Sequence, residues 1–540
     1  MYGVFWSAIC DEWSAGRSDS RDCRKRRSAL VGDGARARRG VEAALPESSR
    51  VSFDVVVIGY GYAGAVAAIE AHDAGAHVLL LEKMAAPGGI SICSAGGVRI
   101  AYDAEDALDY LEATNAGTTP TKVLRQLAEG MVELPDRMRA LARVSGARVE
   151  VRPAKGNYPF RGHESFGFAM VEDVPGFSSE AAYPNVKGSA AGARLFKVVE
   201  DNVRERGIEV RLETGARRLL TDGERRVTGV DAGEPLHAGA VVLACGGFEA
   251  DPEMQKQFWP SKPVLSAAFR GNTGDGIRMA QALGAGLWHM WHYHGSYGFR
   301  HPDPSYPFGI RTKRLPDWLP GDAPRDDVRM PWILLDRDGR RFMNEYEPYL
   351  QDTGHRPLER FRPEVQDYAR LPAWLVADEA GRRLYPFGQP TYNEPGQCFE
   401  WSDDNLAEVE LGILQRAENL DGLARGLSVS RARLDATLER WNRGCERRRD
   451  EDFGRPAPSM APLIEPPFYF GRVWPIVSNT QGGPVHDERQ RVLDAFGDPI
   501  AGLYACGELG SVFGHLYLSG GNLAECFVGG RIAGREAAGA

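Results

Sequence analysis

Residues 54–83 constrain this chain more than any other stretch. Val55, Val56, Val57 and Ile58 make a short apolar, β-branched run, the composition of a strand buried on both faces. Gly59, Gly61 and Gly64 follow at G-x-G-x-x-G spacing. In such a turn the first glycine permits the sharp bend, the second lets a pyrophosphate approach the backbone, and the third lets the helix sit close on the sheet. Residues 63–74 are mostly small and read as a helix that Gly75 ends. Residues 77–81 read as a second strand, with Glu82 and Lys83 at its end, where an acid accepts hydrogen bonds from a ribose hydroxyl. This order predicts a βαβ dinucleotide-binding unit, with Gly59, Gly61, Ala63, Gly64, Glu82 and Lys83 as candidate cofactor contacts.

The whole-chain properties narrow the setting. At 540 residues the chain exceeds what one core organises, so two domains are expected. The net charge of -9 speaks against nucleic acid as a partner. Eight cysteines are scattered without a C-x-x-C pair, which fits a reducing, cytoplasmic compartment and no disulfide framework. No apolar run approaches the ~20 residues of a membrane span. Residues 1–50 mix basic clusters such as Arg24-Lys25-Arg26-Arg27 with Gly, Ser and Ala, without apolar periodicity. They read as a disordered tail, and the apolar residues precede the charges, contrary to an export signal.

Further glycine pairs recur where backbone can run close to a flat ligand. They are Gly88-Gly89 with Ser91, Gly96-Gly97, and Gly246-Gly247 at the end of an apolar strand. Asp275 lies in Gly271-Asn-Thr-Gly274-Asp275-Gly276, which opens a helix. From about residue 297 the βα rhythm is lost and Pro, Trp, Tyr and Arg become frequent. Residues 297–470 are therefore expected to form a second domain inserted between residues 51–296 and 471–540, with helices over 405–418 and 431–449. The rhythm returns in a strand ending at Cys506-Gly507-Glu508. Ser519-Gly520-Gly521-Asn522 then precedes a last helix from Leu523, whose N-terminus suits a flavin oxygen or an oxyanion.

Taken together, these motifs resemble the fumarate-reductase-like FAD flavoproteins, which include succinate dehydrogenase flavoprotein subunits and 3-ketosteroid dehydrogenases. Gly339-Arg-Arg-Phe-Met-Asn344-Glu345 and Gly482-Gly483 add to the match, which runs in order from about residue 52 to 536. The resemblance implies an α/β fold: a Rossmann-like FAD-binding domain split by an inserted α+β cap. It also implies Glu508 beside the ribityl chain and Asn522 and Leu523 beside the flavin. A histidine precedes the second glycine pair in relatives with covalent flavin; this chain has Ile90, so noncovalent FAD is expected. Fumarate reductases carry a substrate-binding arginine where this chain has Leu518, and a histidine where it has Asn479, so C4 dicarboxylates become poor candidates.

Tyr517-Leu518-Ser519-Gly520 is similar instead to the Tyr-x-Ser-Gly segment of the 3-ketosteroid Δ4-dehydrogenases, which pair that tyrosine with a second one from the cap. Tyr349, with Tyr346 in reserve, stands at the matching distance after Asn344-Glu345. The resemblance thus implies desaturation of a cyclic ketone. Tyr517, helped by Ser519 and Tyr349, takes the α-proton, Gly520 and Gly521 steady the enolate, and flavin N5 accepts the hydride. A separate electron acceptor is then required, since no haem or iron–sulfur motif occurs. His289, His292 and His294 lack an acidic fourth ligand and read as pocket or surface aromatics rather than a metal set, as do Trp288 and Trp291. If Arg311, Arg314, His355 and Arg356 face the flavin, the substrate becomes a smaller oxo-cyclohexane carboxylate, or an unsaturated acid reduced as by fumarate or urocanate reductases. An electron-shuttling subunit is the rival from outside this chemistry.

Overall fold

The opening apolar run becomes strand β1 (Ser52–Ile58), and Val55, Val56 and Val57 have no exposed surface. Each such burial contributes about 1.5–3 kcal/mol. The structure, a computed structural model, describes residues 52–316, 328–364 and 366–540, so the expected tail over residues 1–50 lies outside the described residues. Gly59 turns the chain into helix α1 (Tyr62–Asp73), and β2 (Val78–Leu81) returns parallel to β1 with Val55 opposite Val78. Strand β3 (Glu209–Arg211) extends the sheet beyond β2. On the other side of β1 lies β4 (Pro235–Leu243), again parallel, with Val55 opposite Ala240.

Between β2 and β3 the chain builds helices Ala104–Asn115, Thr121–Ala142 and Ala190–Glu205. It also builds an antiparallel sheet of Val98–Ala101, Arg148–Pro153 and Phe166–Asp173. Each helix buries the apolar residues spaced three and four apart along it. The sheet was not anticipated, although Val149 and Val151 alternate with charged residues as a half-buried strand does.

A second large sheet follows, from β5 (Tyr293–Arg300), β6 (Gly309–Thr312), β7 (Trp332–Leu335), β8 (Ala373–Ala377) and β9 (Phe468–Thr480), in the order β7-β8-β9-β5-β6. The first half of β9 pairs with β8 and its second half with β5, both antiparallel. One expected helix is corrected here. In place of a helix over 405–418 there is one turn, Ala407–Leu411, and then a strand, Gln415–Ala417, that pairs with β9. Gly412, at φ +86°, ends the helix in a left-handed cap. The other expected helix is present as Arg431–Glu446.

Strands β10 (Arg491–Leu493) and β11 (Pro499–Ala505) then rejoin the first sheet, giving β10-β11-β4-β1-β2-β3 with β11 parallel to β4. Helix α2 (Gly521–Ala538) packs on α1. A Cβ at Gly534 would stand 2.3 Å from the Ala67 carbonyl oxygen, so the two backbones nearly touch. This accounts for α1 being small and apolar all round: it is covered by the sheet and by α2. No helix among the described residues is long and apolar enough to cross a membrane.

Candidate active site

The carboxyl ends of β1, β2, β4 and β11 open onto one cavity of about 450 Å³, the place where open parallel sheets hold ligands. Gly59, Gly61, Ala63, Glu82 and Lys83 form one end of its wall. Gly59 adopts φ +105°, and a Cβ there would lie 2.5 Å from the Ala244 carbonyl oxygen. Gly64 lies behind the wall, where a Cβ would stand 1.8 Å from the Gly59 carbonyl oxygen, so only glycine lets α1 start this close. The Glu82 carboxylate is buried and accepts the N–H groups of Tyr60 and Met84, each at 2.9 Å. Burial raises its pKa, and its remaining lone pairs are free for hydroxyl donors. Lys83 Nζ donates to Asp275 Oδ2 at 2.6 Å and to Thr273 Oγ1 at 2.8 Å, so these two expected contacts clip the rim together.

Of the later motifs, Gly89, Ser91, Gly97, Gly246, Glu508, Asn522 and Leu523 reach the wall. Gly88, Gly96, Gly247, Gly507 and Gly521 sit behind it: Gly88, for instance, donates its N–H to the Tyr60 carbonyl at 2.8 Å. Glu508 Oε1 accepts from Thr480 N at 2.8 Å, and Asn272 Nδ2 joins it to Glu249. Burial pushes Glu508 up to about 7; burial and the Glu508 charge push Glu249 well above the usual carboxylate range, so the two acids share a proton. Sequence reading missed Glu249, which no motif marks. Glycine backbone packed where a Cβ would intrude, together with a buried acid at the end of β2, fits the adenosine end of FAD.

The far end of the cavity is aromatic. Tyr349, Tyr517, His294, Ser519 and Gly520 all line it. The Tyr349 and Tyr517 rings stack with centroids 6.5 Å apart, and the His294 ring lies 4.3 Å from Tyr517. The Tyr517 hydroxyl oxygen accepts the Asn522 N–H, in the first turn of α2, at 3.2 Å. Burial nonetheless raises the Tyr517 pKa well above that of a free phenol. Two expected contacts stand elsewhere. Gly521 donates its N–H to the Leu518 carbonyl at 2.7 Å and does not face the cavity. Tyr346 donates its hydroxyl to the Pro316 carbonyl and packs in the core of the second sheet.

Asp352, which no motif singled out, organises this end. It is fully buried just after Tyr349, to whose carbonyl its N–H donates at 3.0 Å. Its Oδ2 accepts the Tyr158 hydroxyl at 2.6 Å and the Tyr517 N–H at 2.9 Å. Its Oδ1 lies 3.5 Å from His292 Nε2 and 3.7 Å from His294 Nδ1. Burial alone would raise Asp352, but the histidine contacts outweigh it and hold its pKa well below the usual carboxylate range. Burial lowers His294, keeping that ring neutral. The three histidines do not converge: His289 faces the Ser511 and Thr118 carbonyls, and His292 Nδ1 faces the Phe513 carbonyl. Trp288 donates to the Gly510 carbonyl and Trp291 is exposed; neither lines the cavity. Arg311 and Arg314 do line it, whereas His355 turns to Glu359 and Arg356 to the His515 carbonyl.

The model of one protein family, FAD binding domain, matches residues 54–523. Among curated relatives, the NADH:fumarate oxidoreductase of Klebsiella pneumoniae is 28% identical over 90% of this chain and 48% of its own length, so the chain spans about half of it. The 4-oxocyclohexanecarboxylate 2-dehydrogenase of Sinomonas cyclohexanicum is 29% identical over 92% of this chain and 94% of its own. Among solved structures, the 3-ketosteroid delta1-dehydrogenase of Sterolibacterium denitrificans shares the fold, with a TM-score of 0.74 and 24% identity over 90% of this chain and 99% of that one. The glycine cradle, the buried acid and the family match agree: the chain belongs to the FAD binding domain family, and FAD is its cofactor.

Proposed function

We propose that this flavin-dependent oxidoreductase desaturates a cyclic ketone between its α and β carbons, with FAD held noncovalently and the second sheet acting as a cap. The observation that carries the reading is the stacked pair Tyr349 and Tyr517, from distant segments, on one wall with Ser519 and Gly520. When bound, FAD supplies the two-electron acceptor for the hydrogen leaving the β-carbon. The chain's own residues handle the proton and the developing charge. Loss of the α-proton puts enolate character on the ketone oxygen, and Gly520, next to the N-terminus of α2, is the backbone that faces it. Tyr517 is a phenol at rest; the Asn522 N–H directed at its oxygen steadies negative charge there as the proton passes. Tyr349 and the neutral His294 ring are the neighbours to which that proton moves on. Leu518 is buried behind the wall where an arginine would stand, so the wall from Tyr517 to Gly520 carries no charge and suits an apolar ring better than a dicarboxylate. A separate protein or small molecule reoxidises the flavin.

Anaerobic mixing of the holoprotein with ring ketones of increasing size tests the reading. Bleaching of the flavin band with formation of the unsaturated ketone is expected, and Tyr517→Phe abolishes it while FAD stays bound. No bleaching by any ketone, together with reoxidation of the reduced protein by an unsaturated acid, would overturn it in favour of a reductase.

A further inference from the structure

Among the described residues Arg311 has no ionic partner. Strand β6 alternates, so Ile310 enters the core of the second sheet while Arg311 faces the cavity. Its one hydrogen bond among the described residues is from Nη1 to Ser478 Oγ at 3.2 Å, which leaves most of its five N–H donors unused there. The acids on the same wall are engaged elsewhere: Glu82 with Tyr60 and Met84 N–H, Asp275 with Lys83, and Glu508 with Thr480 and the shared proton of Glu249. Cys93 does not compensate the charge either, since burial pushes its thiol up to about 12. A half-buried guanidinium on a cavity wall without an acid carries an uncompensated desolvation cost, so it marks a position completed by an anion from outside the chain. A planar guanidinium on a wall selects a planar, bidentate anion.

We propose that Arg311 is the carboxylate-binding residue of the substrate site, and that the ring ketone taken by this protein carries a carboxylate away from its reacting carbons. This rests on the desaturase reading above and deepens it. The aromatic end formed by Tyr517 and Tyr349 receives the ketone ring, and Arg311 with Ser478 receives the acid. The guanidinium then decides which ring ketones are accepted, and neutral, larger ones are disfavoured.

The test uses the FAD-loaded full chain and reads the flavin absorption band, which responds to ligands whether or not they react. Cyclohexanecarboxylate and cyclohexanecarboxamide are titrated into the wild type, Arg311→Leu and Arg311→Lys. The wild type is expected to bind the carboxylate about 100-fold more tightly than the amide. Arg311→Leu loses that preference with amide binding unchanged, and Arg311→Lys keeps part of it. Equal binding of the two ligands by the wild type overturns the proposal. So does an unchanged carboxylate affinity in Arg311→Leu. If Arg311→Leu instead sheds its FAD, the Lys variant and the wild-type preference decide: a wild type without preference means that the guanidinium serves the cofactor. Bleaching by 4-oxocyclohexanecarboxylate and by its methyl ester is recorded separately. Bleaching by neither sinks the desaturase reading while the titration still decides on Arg311.

Discussion

Replacing Asp352 by Asn tests whether the aromatic end of the cavity is held by one buried charge. The carboxylate fixes Tyr517 through its backbone N–H and Tyr158 through its hydroxyl, while the two histidines face its other oxygen. Hydrogen bonds to a charged group contribute about 1.5–3 kcal/mol each, and the amide keeps their geometry on one oxygen without the charge. A loss of about 2–4 kcal/mol is therefore expected, short of the ~3–5 kcal/mol for leaving buried partners unpaired. At about 2 cal/mol/K of unfolding entropy per residue, this lowers Tm by only a few degrees in a chain of this size. Activity should respond more, because a displacement of about 1 Å at the reacting end costs about 100-fold in rate. The sign with pH is fixed as well. A depressed carboxylate pKa contributes stability above the ordinary value near 3.8 that is lost as pH falls through the folded value, so the two proteins should converge in acid. The assays are thermal melts at pH 7 and through falling pH below the ordinary value near 3.8, and the rate of flavin bleaching by whichever ketone reduces the wild type. A variant with wild-type Tm and a bleaching rate within threefold, at full flavin content, would refute the role given to Asp352.

Two further perturbations probe the cofactor end and the last helix. Gly64→Ala puts a methyl group 1.8 Å from the Gly59 carbonyl oxygen and forces the turn apart. The purified variant should lose bound flavin and about 1–3 kcal/mol of stability, and a full flavin complement at unchanged Tm would contradict this. Glu525, buried and accepting Ser511 Oγ, Val512 N and Asn522 Nδ2, is pushed by burial up to about 8 from an ordinary value of 4.5. Its folded form holds a proton that the unfolded chain has released, so its contribution is complete below pH 4.5 and is lost as pH rises towards 8. Glu525→Gln should flatten the fall of stability over that window by on the order of a few kcal/mol, and parallel melting profiles would sink the argument.

The cofactor end was legible because its physics is local. Val55 to Glu82 forms strand, turn, helix and strand within thirty residues, and Gly59 and Gly64 sit against backbone from the next strand and the same unit. The aromatic end was legible only through resemblance, since Tyr349 and Tyr517 meet from distant segments and nothing in their spacing announces it. Asp352 escaped altogether. It is a buried acid in a one-turn helix, Leu350–Thr353, whose partners come from three other parts of the chain, so no periodicity or motif encodes it. Glycine pairs misled in a different way. In each of the pairs 88–89, 96–97, 246–247 and 520–521 only one member reaches the cavity, because the other admits a neighbouring backbone or side chain. Helical periodicity over residues 405–418 failed for a similar reason, when pairing of Gln415–Ala417 with β9 outweighed local preference.

Strand β9 bears on how such a protein can be re-engineered. At 13 residues it is about 40 Å long. It starts among the strands of the second sheet and ends with Ser478, Asn479 and Thr480 at the cavity, where Thr480 holds Glu508 and Ser478 holds Arg311. The two large sheets are thus not interchangeable modules joined by slack linkers. A graft of the second sheet from a relative would have to carry β9 whole, and with it the Ser478 and Thr480 side chains that meet Arg311 and Glu508. Crossovers placed at the surface loops before Phe468 would leave the graft's own sheet without its central strand.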